Sequence, residues 1–292
     1  ASVRDINALD LGTVSLSGDL TVTAGGAVSD SGTVTVGGSA QISASGQSVI
    51  LDGANDFAGA LSISAASASV RDINALDLGT VGLSGNLAVT TGGDLTDSGT
   101  VSVGGLTQIS ATGKAVVLDG QNDFGGALSI SAASASVRDI NALDLGTVGL
   151  SGNLAVTTGG DLTDSGTVSV GGLTQISATG KAVVLDGAND FTGAISISAA
   201  SASVRDVNAL DLGNISLSGA LVVSAGGAVS DSGKLSVGGS TQISASGQSV
   251  VLDGDNSLIG ALSISAGSAS IGHAGAIDLG TLSLSGNFTL TA

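Results

Sequence analysis

The ten residues VRDINALDLG begin at Val3, return unchanged at Val70 and Val137, and return as VRDVNALDLG at Val204. The interval, 67 in sequence number, is the same each time. Self-similarity at a fixed period marks a chain built by stacking one supersecondary unit. The repeats run 1–67, 68–134, 135–201 and 202–268, and a partial fifth, 269–292, contains the degenerate copy SIGHAGAIDLG from Ser270. Repeats two and three differ only at Gln121/Ala188, Gly125/Thr192 and Leu128/Ile195. The whole chain, 1–292, therefore reads as a single segment of one repeating architecture.

Period-two alternation identifies the element. In GTVSLSGDLTVTA the apolar residues Val14, Leu16, Leu20 and Val22 alternate with Ser and Thr; Val34, Val36 and Ile42 continue the pattern, as do Leu61, Ile63 and Val70. A helical period is nowhere visible, so the chain is expected to be all-β. The strands are short and broken by Gly-Gly, Ser-Gly and Asp-Gly, read here as corners where glycine supplies positive φ. With 42% hydrophobic residues but only four Phe and no Trp, Tyr, Met, Cys or Pro, the core must be made of small and branched aliphatics.

One residue type sets the scale of the coil. All 24 acidic residues are Asp, and those preceding strands, starting with Asp10, Asp30, Asp52, Asp77, Asp97 and Asp119, are spaced 20, 22, 25, then 20, 22 again. That spacing predicts three coils per repeat, each of three short strands. The expected fold is a right-handed parallel β-helix, a β-solenoid, since parallel crossover connections are right-handed. Its coils would lie roughly 4.8 Å apart, making a rod on the order of 60 Å long. Phe57, Phe124 and Phe191, in the NDF of the longest coil, are expected to fill the core, with Leu258 in their place in repeat four.

The carboxylates are the one feature with chemical potential. Stacked Asp side chains repel, and a hard cation such as Ca²⁺ would relieve them, which makes Asp10, Asp30 and Asp52 the calcium candidates. The favoured reading is structural: each Asp, Asp77, Asp97 and Asp119 included, caps its own corner by accepting a backbone N–H. The GGxGxDx nonapeptide of calcium rolls is absent. Arg4 and Asp5, with their copies, read as surface ion pairs, and His273, in the place of those Asp residues, as an exposed substitution. A single His and no Cys leave no catalytic triad and no zinc site, and no cofactor is called for.

The stretches GTVTVGG, VILDGANDFAGALSI and NALDLG resemble the repeat region of filamentous-haemagglutinin-like exoproteins, bacterial adhesins exported by two-partner secretion. The resemblance covers the whole chain. It implies a right-handed β-helical shaft, secreted through an outer-membrane partner to the cell surface and used in attachment, aggregation or biofilm. It also implies that secretion domain, tip and the site for a host or matrix receptor or polysaccharide lie elsewhere in a longer protein.

Charge and composition bear on the alternatives. A formal net charge of −17 with seven Lys and Arg argues against nucleic acid. No apolar run reaches the length of a membrane helix. A polysaccharide-cleaving enzyme would need a cleft where long loops interrupt the repeat, and these repeats contain no such break. A glycan-binding or laterally self-associating matrix fibre is the nearer alternative, although exposed aromatics for sugar stacking are lacking. The expected function is thus a non-catalytic structural shaft.

Overall fold

The computed structural model describes residues 1–291, which form twenty-nine β-strands and, among the described residues, no helix. The chain makes two compact units, residues 1–144 and 145–292. Both are parallel β-solenoids. In the strand Leu87–Thr91, Leu87, Val89 and Thr91 are buried while Thr90 is exposed, the pattern that alternation demands of a strand with one wet face.

Three stacked columns build the first unit. Val3 pairs with Val22, and Ile42, Ile63, Val81 and Val101 follow in the same ladder, so the sequence number advances by 18 to 21 per coil. The second column is Leu9, Val28, Val49, Ala68, Leu87, Thr107 and Leu128. The third starts with Val14 on Val34 and Val36 on Phe57, passes through the pairing of Asn55 with Asp72, and continues as Leu76, Leu95, Val116 and Ala135. Apolar residues stack over apolar residues, so a narrow interior fills without large aromatics.

Each coil is shorter than the Asp spacing implied, and a repeat therefore holds three coils and a fraction. The fraction explains the spacing of 25. Asp10, Asp30 and Asp52 lie along one edge, where Asp30 accepts the backbone N–H of Asp52, but Asp77 pairs with Thr96 in the third column, so the acidic row breaks at each repeat.

The second unit obeys the same rules. Ala202, Leu221, Thr241 and Leu262 form one column, and Leu210, Val229, Val250, Ala269 and Phe288 another. Phe191 stacks on Val170, as Phe57 and Phe124 stack on Val36 and Val103, and each Phe is 1% exposed. Leu258 fills the same place, paired with Val237.

The Gly-Gly corners differ from expectation. Among the described residues positive φ is confined to Gly12, Gly46, Gly113, Gly180, Gly247 and Gly275, none of them in a Gly-Gly pair. Close approach is the reason for the pairs: a Cβ on Gly92 would land on the carbonyl oxygen of Ile73 in the coil next to it. Gly93 likewise faces the backbone of Ala75, leaving no space for a side chain.

Candidate functional site

Each repeat concentrates its polar chemistry where its longest strand, Ala40–Phe57 in the first repeat, turns its corner. Asp30 accepts hydrogen bonds from the backbone N–H of Asp52 at 3.1 Å and of Gly53 at 3.1 Å, and from Nδ2 of Asn55 at 2.6 Å. Asn55 is fully buried; its Nδ2 also donates to the carbonyl of Leu51, and its Oδ1 accepts from the N–H of Val34 at 2.8 Å. One carboxylate and one carboxamide thus tie neighbouring coils together. The arrangement returns with Asp97 and Asn122, Asp164 and Asn189, and Asp231 and Asn256.

A second carboxylate, this one buried, completes the corner. Asp72 is 1% exposed; its Oδ2 accepts from the N–H of Phe57 at 2.8 Å and its Oδ1 from the N–H of Asn74 at 2.7 Å. Asp139 and Asp206 do the same for Phe124 and Phe191. Burial raises all three carboxyls above their ordinary pKa of 3.8; the two backbone hydrogen bonds pull the other way, and the charge of Asp56, Asp123 or Asp190 adds to the rise. These copies of Asp5 therefore point inward instead of pairing with the neighbouring arginines on the surface. His273 is no exposed substitution either. It is 8% exposed, its Nε2 accepts from the N–H of Leu258 at 3.0 Å, and its Nδ1 faces the carbonyl of Gly275 at 3.2 Å, a pattern that fits the neutral ring protonated at Nδ1.

The remaining Asp residues divide by role. Asp10 accepts from the N–H groups of Gly12 and Ser31; hydrogen bonding by Gly12 and then by the Ser31 side chain lowers its carboxyl pKa, and Asp52 accepts from the hydroxyl of Ser69 at 2.5 Å. Asp97 accepts from the N–H of Asp119. Asp77, with its copies Asp144 and Asp211, keeps one buried Oδ1 without a hydrogen-bond partner. Among the described residues no group of three His, Cys, Asp or Glu side chains gathers as a metal ion would require; both oxygens of Asp30 and Oδ1 of Asp10 and of Asp52 face donors of the protein itself.

The outward faces carry shallow troughs. In the second unit one of about 370 Å³ is lined by Ala155, Thr157, Gln175, Ser177, Ser196 and Asn214, and another of about 290 Å³ by their copies one repeat on, Val222, Ser224, Gln242, Ser244, Ser263 and Thr281. Both sit where the register shifts, between Ile195 and Ile197 and between Leu262 and Ile264. Ser196 and Ser263 fill the shift by accepting the N–H of Asn214 and of Thr281, each at 3.0 Å. No lining residue of either trough is charged.

Asn55 and Asp72 were missed as clamp residues by sequence reasoning. A signal existed for Asn55: NDF in three repeats becomes NSL in the fourth, and only Asn256 survives the change. Asp72 gave none, because a buried carboxylate next to Arg71 looks like an exposed ion pair.

Parallel coils, a repeated apolar interior and cross-coil clamps define a β-solenoid repeat protein. The chain belongs to the family described as Repeats of unknown function (DUF5649), whose model matches residues 1–64, 65–131, 132–198 and 199–265. Those matches keep the period and set its phase three positions earlier than the boundaries read from the sequence. No curated protein and no solved structure matches the chain.

Proposed function

We propose that the chain is the non-catalytic shaft of a large secreted bacterial cell-surface adhesin, a spacer whose length is the useful property. The observation that carries this reading is the Asp–Asn clamp: the most elaborate polar cluster of each repeat is committed to holding coil against coil. The similarity of GTVTVGG and VILDGANDFAGALSI to filamentous-haemagglutinin-like repeats supports the same reading, and with it export through an outer-membrane partner and a receptor site on another part of the protein. Deleting Ala68–Ser134 tests it. The joined chain should still fold and should be shorter by about 16 Å, three coils and a third at the strand spacing, as measured by small-angle scattering. An unfolded product or an unchanged length would sink the shaft reading. The uncharged troughs favour a glycan-binding or self-associating fibre as the second reading; saturable binding of a neutral oligosaccharide, weakened by Gln175→Arg and further by adding Gln242→Arg, would promote it.

A further inference from the structure

The repeat and the coil do not share a common turn. From Val3 to the residue before its copy Val70, the chain lays down strand segments four times in the first column, three times in the second and three times in the third. Ten segments at three per coil are three coils and one third. The copies display the slip inside residues 1–144. Val3 stacks on Val22 in the first column, Val70 pairs with Leu51 and Val89 beside the second column's Ala68, and Val137 pairs with Leu118 beside the third column's Ala135. The second unit repeats the shift, since Ala202 and its copy Ala269 stand in different columns.

We propose that the repeat is a one-third-turn screw element, each copy presenting the same surface one face further round the solenoid, so that three copies are needed to bring a feature back to its starting side. The physical basis is that an inward side chain must be followed by another inward side chain one coil on. Every one of the ten segments offers the same alternation, so any segment can stack on any other. Segment identity is thereby free to slip by one face per repeat without emptying the core. The two troughs show the consequence. Gln175 pairs with Ser196 in the ladder of Thr174 and Ile195, which goes on to Leu212, whereas its copy Gln242 pairs with Ser263 in the ladder of Thr241 and Leu262, which continues the column of Ala202 and Leu221. A partner that reads one face meets this uncharged surface once in three repeats; a partner that surrounds the solenoid meets it at every repeat. Gain or loss of a single repeat would re-aim all that follows by a third of a turn, as well as changing reach. The screw does not depend on the shaft reading, and it would hold for a fibre of any function.

Because the chain contains no cysteine, engineered pairs report register cleanly. Ile50 and Ser69 are ladder partners, as are Ser64 and Gly82, and neighbouring strands stand at a spacing a disulfide can bridge. Asp52 and Asp77 would stack only if the repeat closed on a whole number of coils. In the full chain, Ile50→Cys/Ser69→Cys and Ser64→Cys/Gly82→Cys should each oxidise to an intramolecular disulfide under mild conditions, while Asp52→Cys/Asp77→Cys stays reduced. Circular dichroism of the reduced forms establishes that each variant is folded, and Val117→Cys/Ser136→Cys, the same step one repeat on, replaces the first pair if that one misfolds. Closure of Asp52→Cys/Asp77→Cys, or failure of the ladder pairs to close in folded protein, would overturn the proposal.

Discussion

At the residue scale, the repeat invests its buried polarity in carboxylates that face backbone N–H groups, and this has a pH consequence. For Asp139, burial outweighs the hydrogen bonds from Phe124 and Asn141, so the charged form is disfavoured in the fold. A carboxyl whose folded pKa lies above its unfolded one contributes stability that is fully present below the unfolded value and is lost as pH rises through the folded value. Relative to an Asp139→Asn variant, the natural chain should therefore gain melting temperature as pH falls from neutral toward the ordinary carboxylate range. A difference between the two melting curves that stays flat or moves the other way would show that the hydrogen bonds, not burial, dominate. Asp10 is the opposite case, an exposed carboxyl lowered by hydrogen bonds from Gly12 and Ser31.

At the element scale, corners are governed by what the adjacent coil leaves free. Gly92 and Gly82 lie in the same repeat, yet a Cβ at Gly92 would meet the Ile73 carbonyl, while at Gly82 nothing stands within 4 Å. Gly92→Ala should cost stability on the scale of a forced backbone shift, about 1–3 kcal/mol, whereas Gly82→Ala should be nearly silent. Chemical denaturation of the two variants checks this, and equal effects would show that glycine serves conformational freedom at both places. The strand interiors are more forgiving. Thr107, Thr174 and Thr241 occupy the place of Ala40 in the core with their hydroxyls unpartnered, so each full repeat after the first tolerates a second imperfect polar burial beside the Oδ1 of Asp77, Asp144 or Asp211.

At the scale of the whole molecule, contacts run from each coil to its neighbours, and stability is distributed accordingly. A solenoid of this kind is stabilised by a sum of coil terms and nearest-neighbour interfaces. The Ala68–Ser134 deletion should lower the unfolding free energy and the denaturant m-value together, by about one repeat's share. A chain that lost cooperative unfolding altogether would contradict the picture of interchangeable units.

The sequence by itself determined the element type, the parallel stacking and the filling of the core. Alternation of Val, Leu and Ile with Ser and Thr requires strands, and near-identical units at a constant interval require a stack. It also disclosed Phe57, Phe124 and Phe191 as the bulky residues of the longest coil. Only the tertiary structure decided how much chain closes one coil, because that depends on which segment lies over which, and ten nearly equivalent segments permit several registers. The same dependence hid the roles of Asn55 and Asp72: a polar side chain beside a corner reads as solvent-facing until the coil that buries it is in place. Gly92 was legible as a corner but not for its reason, since the atom that forbids its side chain belongs to Ile73, distant in sequence and in the next coil in space.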